Sequence, residues 1–336
     1  MSADQVHPAE QVYPQDRFLV TGALGCIGAW VVRLLVKEGS PVCVFDLAGN
    51  PHRLKLVMSE EELAQVKFVS GDIADLAALE QAARESRVNQ IIHLAALQVP
   101  FCKADPPLGA RVNVVGTVNI FEIAKRLGLS KVVYASSVAV FGRSEDYPDG
   151  DVGHDAPLKP RTHYGVYKQA NEGTARIYWQ DDGISSIGLR PYTVYGPGRD
   201  QGMTSAPTKA MLAAAAGLPF HIPFGGRGCY QFVEDVARLF INAARLPFHG
   251  AESYNLRGSV VHMREIIGAI EDAVPAARGT ITFDDKALPF PEGLDDSALR
   301  EVMGALPYTP LDRAVPKTVE IFKDALSRGA ISPAAS

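Results

Sequence analysis

Tyr164 stands four residues before Lys168 in the stretch PRTHYGVYKQA, residues 160–170. On a helix, positions i and i+4 share one face a single turn apart. An ordinary tyrosine loses its proton near pH ~10 and an ordinary lysine near ~10.4. A cation held beside the phenol favours the phenolate and lowers the tyrosine pKa. That is one way to build a general base that works near neutral pH. A solvated helix face can also carry Tyr and Lys at this spacing, so the pair acquires meaning only from the elements that position it.

Those elements are legible as an alternation. RFLVTG (17–22), PVCVFD (41–46), VKFVSGD (66–72), QIIHLAA (90–96), KVVYASS (131–137) and SSIGLRP (185–191) are short apolar runs, rich in Val and Ile, that end in small or polar residues. Stretches with helical spacing, such as GAWVVRLLVKEG and VGTVNIFEIAKRLG, separate them. Strand–helix alternation predicts a parallel sheet covered by helices on both faces. After residue 196 the pattern changes to a Gly/Pro-rich loop, YGPGRDQG, then a helix ending at Gly217, then CYQFVEDVARLFINAAR, which starts as a strand and becomes a helix. The expectation is an α/β protein: a doubly wound parallel-sheet Rossmann domain over 16–195 and about 230–258. A smaller, mainly helical C-terminal substrate domain would take 196–229 and 259–330. Residues 1–15 are expected to be a loose, polar tail.

LVTGALGCIGAWVVRLL places Gly22, Gly25 and Gly28 in the spacing GxxGxxG, after the first strand and at the opening of the first helix. Such a turn lets backbone approach a pyrophosphate closely and aims free helix N–H groups at it, Cys26 and Ile27 included. Asp46 ends the second strand, 18 residues after Gly28. A carboxylate there accepts hydrogen bonds from ribose hydroxyls and repels a 2′-phosphate, so NAD is expected rather than NADP. Arg33 and Arg53 do not directly follow that acid. Asp72 and Ile73 end the third strand, where the adenine edge would lie. Leu94, Ala95 and Ala96 end the fourth with small side chains that let a dinucleotide pass. His93 reads as a packed strand-end histidine.

Composition narrows the class. The chain has 336 residues, 47% hydrophobic and 21% charged, with a formal net charge of −5, which is no nucleic-acid footprint. No run of 18 apolar residues suggests a membrane span, and the N-terminus lacks the apolar core of a signal peptide. Cys26, Cys43, Cys102 and Cys229 show no CxxC and fit free thiols in a reducing cytoplasm. Eight histidines without an HxxxH pair argue against a metal.

The ordered words TGALGCIG, GDI, HLAA, YASSVAVFG, YGVYK and RPYTVYGPG, with DDSALREVMG…TPLDRAVPKTVEIF near the end, span about 17–325. In these the chain resembles the extended short-chain dehydrogenase/reductases, the NAD-dependent epimerase/dehydratase family. The resemblance implies that Tyr164 is the acid/base on a substrate hydroxyl. It implies that Lys168 holds the phenolate and the nicotinamide ribose. It selects Ser137 over Ser136, five residues before Gly142, to hydrogen-bond the reacting oxygen. It matches Asn113 to a helix position that orders the site, and places Pro191 on the cofactor side. Gln98, Tyr192, Thr193, Arg199 and Arg227 are expected on the substrate side. Two helices, Val112 to Leu127 and the one carrying Tyr164, would pair with a second copy in a homodimer.

The resemblance also narrows the reaction. Family dehydratases carry an Asp-Glu pair after the Ser/Thr, where this chain has Val138-Ala139. Decarboxylases place a Glu in that stretch, and the fucose-synthase type a Cys; neither is present. A dehydrogenase or an epimerase remains. TGALGCIG, SSVAVFG and RTHYGVYK look locally like short-chain-type L-threonine dehydrogenases, whereas RPYTVYGPGRD and the C-terminal third look like sugar-nucleotide enzymes. In the latter an Arg that grips the diphosphate precedes the Asp-Val; counting back from Asp235-Val236 puts Gly228 there, with Arg227 one residue off. A small polar substrate, a sugar or sugar acid gripped by Arg199, Arg227 or Lys103, is therefore expected ahead of a UDP-sugar. A non-enzymatic NAD sensor would need a broken catalytic set, and Ser137, Tyr164 and Lys168 are all present.

Overall fold

The computed structural model describes residues 16–332; the expected tail over 1–15 lies outside them. In chain order the strands are β1 (Phe18–Thr21), β2 (Val42–Asp46), β3 (Lys67–Ser70), β4 (Gln90–His93), β5 (Lys131–Ala135), β6 (Ser185–Arg190), β7 (Thr193–Tyr195), β8 (Phe220–Ile222), β9 (Arg227–Phe232), β10 (Ala251–Asn255), β11 (Ser259–His262) and β12 (Ile281–Phe283). Seven of them form one sheet in the order β10-β6-β5-β4-β1-β2-β3. Every pairing in it is parallel.

Alternation along each strand builds two cores. Phe18, Val20, Val42, Val44, Ile92 and Val133 face one layer, with Trp30, Val31, Leu35 and Phe240 from the helices Cys26–Lys37 and Val233–Arg245. Leu19, Cys43, Phe45, Ile91, Val132 and Tyr134 face the other, with Leu79, Ile120, Phe121 and Ile123 from the helices Leu76–Glu85 and Gly116–Leu127. Successive side chains of a strand point to opposite faces, and both faces here are covered, so both sets must be apolar. This is the doubly wound α/β class.

Beyond the main sheet there is more strand than the apolar pattern implied. β11, β9 and β7 form a three-stranded sheet, and β12 pairs with β8. β7, β8 and β12 have three residues each and β11 four, too few for a period of two to be read. β10 was also unforeseen. It is AESYN, an edge strand that pairs only with β6 and needs no continuous apolar run.

Candidate functional site

The strand order reverses between β4 and β2, on either side of β1. Ligands of open parallel sheets bind outside the carboxyl ends of the strands at such a point. Here the residues that leave the strands converge. Gly22 after β1, Asp46 at the end of β2, Asp72 and Ile73 after β3, Leu94, Ala95 and Ala96 after β4, Ser137 after β5 and Pro191 after β6 line one cleft of about 400 Å³.

The glycine turn is forced by space. Gly22 has φ +69°, and a Cβ there would stand 2.5 Å from the Ala95 nitrogen. A Cβ on Gly28 would stand 2.3 Å from the Gly22 oxygen. The turn delivers the N-terminus of the Cys26–Lys37 helix, with no acidic residue in its first turn, to the cleft. Asp46 Oδ2 accepts from Leu24 N–H (2.8 Å) and Oδ1 from Leu47 N–H (2.8 Å). Burial raises the Asp46 pKa, and these two amides and Arg53 pull it back. An anion-receptive helix end beside a carboxylate on β2 fits the pyrophosphate and ribose of a dinucleotide.

Tyr164 and Lys168 lie on the helix His163–Asp182, capped by Thr162, whose Oγ1 accepts from Gly165 N–H at 3.0 Å. Both line the cleft with Ser137. Lys168 is 2% exposed. Its Nζ donates to the Ala135 carbonyl at 2.6 Å and sits 5.7 Å from the Tyr164 ring centroid. Burial drops its pKa to about 8. Burial also raises Tyr164, against which the Ser137 hydroxyl and then the Arg199 guanidinium act. Arg199 thus adds a charge that favours the Tyr164 phenolate, one that the sequence did not assign to it.

Ser136 donates to Glu172 Oε1 at 2.5 Å, while the Ser137 hydroxyl accepts from Ala139 N–H at 3.2 Å, which leaves its own proton to the cleft. Glu172 was missed from sequence. It lies one turn beyond Lys168 and makes a bidentate pair with Arg190, both 4% exposed (2.8 Å at each oxygen). Its position at Lys168+4 was the available signal. Asn113 does not line the cleft. Its side chain bonds Leu97 N and O (3.0 and 3.1 Å) and Cys102 Sγ, and so fixes the segment after β4. His93 is packed as expected, between the Thr21 and Thr117 hydroxyls, and burial lowers its pKa to about 3.

On the substrate side, Gln98, Tyr192 and Arg199 line the cleft, joined by Met203, Thr204 and Phe290, which sequence reasoning did not single out. Two expectations are corrected. Thr193 is fully buried in β7, away from the cleft wall. Arg227 is exposed at the first position of β9, opposite His262, and does not reach the cleft. Lys103 is exposed and outside it as well.

The family model for the NAD dependent epimerase/dehydratase family matches residues 18–256. This chain belongs to that family. A UDP-glucose 4-epimerase of Mycolicibacterium smegmatis is 33% identical over 92% of this chain and 99% of its own. A partial-consensus L-threonine 3-dehydrogenase superposes with TM-score 0.81 at 23% identity, over 92% of this chain and 99% of its own, a likeness of fold. The UDP-glucose 4-epimerase of Thermus thermophilus in complex with NAD superposes with TM-score 0.76 at 27% identity, over 94% of this chain and all of its own. The chain is an NAD-dependent enzyme of the extended short-chain dehydrogenase/reductase type, and no described helix is long and apolar enough to cross a membrane.

Proposed function

We propose that the enzyme oxidises a secondary alcohol of a small polar acid, a sugar acid or a similar molecule, with net formation of NADH. The observation that carries this is Arg199. Of the three cations among the described residues that line the cleft, Arg53 is neutralised by Asp200 and Lys168 holds the Ala135 carbonyl. Arg199 donates one bond to Thr204 Oγ1 (2.9 Å), has no carboxylate partner among the described residues, and keeps a buried Nε without a partner. It acts electrostatically on Tyr164. A substrate carboxylate on Arg199 would set a neighbouring hydroxyl at the Tyr164 phenol, a geometry suited to bidentate charge-assisted bonds.

In this reading Ser137 hydrogen-bonds the reacting oxygen and Tyr164 takes its proton. Lys168, between Tyr164 and the place of the cofactor ribose, would hold Tyr164 as phenolate until it takes that proton. Asp46 takes the adenosine ribose hydroxyls, and the turn from Gly22 to Gly28 takes the pyrophosphate. The cofactor, when bound, would supply the hydride acceptor for the alcohol carbon. A homodimer is part of the proposal: Val115, Val166 and Ile177 are 46%, 48% and 53% exposed on neighbouring helical segments.

The second reading, a UDP-sugar 4-epimerase with retained NAD, is favoured by the full-length relative at 33% identity. Against it stands Gly228, where the diphosphate-gripping Arg is expected. Glycine offers no side chain there, and Gly228 does not line the cleft. A screen of sugar acids and hydroxy acids with NAD, read as NADH absorbance, tests the first reading. Arg199→Met should raise KM for an acid substrate by about tenfold or more, the loss of one charge-assisted anchor, and change KM for its neutral amide much less, while any effect through Tyr164 falls on kcat for both.

A further inference from the structure

Asp200, next in sequence to Arg199, ties its loop to the helix His52–Val57. Its Oδ1 accepts from Arg53 Nε (2.9 Å) and Nη2 (2.6 Å), and its Oδ2 contacts His52 Nε2 (2.8 Å). The remaining Arg53 nitrogen, Nη1, donates to the Leu24 carbonyl at 2.8 Å. Leu24 lies inside the glycine turn, and its N–H is held by Asp46. One peptide segment of the turn is therefore bonded to the ribose-side carboxylate at one end and, through Arg53, to the Gly196–Thr204 loop at the other. Arg53 is well buried, at 13% side-chain exposure, and Asp200 is at 34%.

The same loop is fastened twice more to the cofactor side. Trp30 Nε1, on the helix that follows the turn, donates to Pro197 O at 2.9 Å. Gly198, at φ +94°, lies against this helix, where an added Cβ would be 3.8 Å from Cys26 Cα and 3.7 Å from Arg53 Cβ. At its far end the loop meets the substrate wall, since a Cβ on Gly202 would collide with Gln98 Oε1 (2.0 Å) and sit 3.4 Å from Arg199 Nη2. The loop pairs with no strand, and these contacts fasten it to the cleft.

We propose that Asp200 is a positioning residue that couples cofactor binding to the substrate wall. Ribose and pyrophosphate fix the glycine turn; Arg53 and Asp200 carry that restraint to the loop, and Arg199 is thereby set in place before substrate arrives. This rests on the reading above only where Arg199 meets substrate. The coupling itself is read with NAD alone, so it stands or falls whether or not a small acid is oxidised.

The test is amide hydrogen exchange of the full-length protein with and without saturating NAD. In the wild type, NAD should slow exchange across 199–205 by about tenfold, inside the ~5–150-fold span usual for coupled sites. Asp200→Asn keeps the shape but weakens the link. It should cut that protection to about twofold or less while NAD-induced protection of 22–28 persists. Arg53→Gln breaks the same link from the other side and should give the same pattern. It decides the matter if Asp200→Asn does not fold. A purely structural role would loosen the loop equally with and without NAD. That result, or a wild-type loop indifferent to NAD, or full NAD protection retained in both variants, overturns the proposal.

Discussion

Lys168 shows what the site costs the fold. An ammonium buried to 2% exposure has its pKa lowered to about 8 by lost hydration. The unfolded chain binds this proton more tightly than the folded one, so the unfolded state holds more protons between pH ~8 and ~10.5 and stability rises with pH through that window. The penalty is fully present below pH ~8. Without NAD, the wild type should therefore gain on the order of 2 kcal/mol between pH ~7.5 and ~9.5 relative to Lys168→Met, measured by urea unfolding of both; parallel curves would mean that Lys168 is not held as a desolvated cation. Tyr164→Phe keeps the ring and removes the proton acceptor, so turnover should fall below about a hundredth while NAD affinity changes little. A variant with more than a tenth of the wild-type rate would place the base elsewhere. Helical spacing put Tyr164 and Lys168 on one face, but their roles and the choice of Ser137 came from the family resemblance. Thr193 and Arg227 were not legible, because which face of a short strand meets the cleft depends on the partner strand. The charge of Arg199 acting on Tyr164 comes from a loop 35 residues further on and had no local signal, whereas Glu172 had one in its place a turn after Lys168.

Among the elements, the glycine turn is tightly constrained. A methyl on Gly28 would stand 2.3 Å from the Gly22 oxygen, and the neighbour is backbone, which cannot swing aside. Gly28→Ala should weaken NAD binding by at least about tenfold, with Gly39→Ala, whose Cβ meets nothing within 4 Å, as the control that touches only its own positive φ. Asp46 should make NAD bind at least about tenfold more tightly than NADP, ~1.4 kcal/mol, and Asp46→Asn should narrow that gap; fluorescence titration of both cofactors checks it, and equal binding by the wild type would remove the role given to Asp46. Five of the first six parallel strands were readable because burial on both faces demands unbroken apolar runs. β3 is an edge strand whose Phe68 is 47% exposed, and it was read with the others from its short apolar run. β10 pairs with one neighbour only and tolerates Glu252 and Asn255, so the pattern that exposed the others was missing.

At the scale of the molecule, the helices that present Tyr164 also present an apolar outer face. Tyr178 is used inside the chain, stacked on Phe121 at 4.9 Å, and Tyr167 bonds the Pro106 carbonyl at 2.9 Å. Ile177, Val166 and Val115 remain. A helix apolar on two sides needs two partners, so light scattering at micromolar concentration should give twice the 36.1 kDa chain mass, and Ile177→Lys with Val166→Lys should give the monomer. A monomeric wild type would end that claim. The central claim concerns the reaction: the cleft takes a small acid on Arg199 and has no Arg at Gly228 to hold a nucleotide diphosphate. The most direct measurement incubates the enzyme and NAD with UDP-glucose in one arm and a panel of sugar acids and hydroxy acids in the other, following NADH and the sugar products together. The expected result is net NADH from a non-nucleotide acid and no conversion of UDP-glucose. Interconversion of UDP-glucose and UDP-galactose without net NADH would contradict it and establish the epimerase.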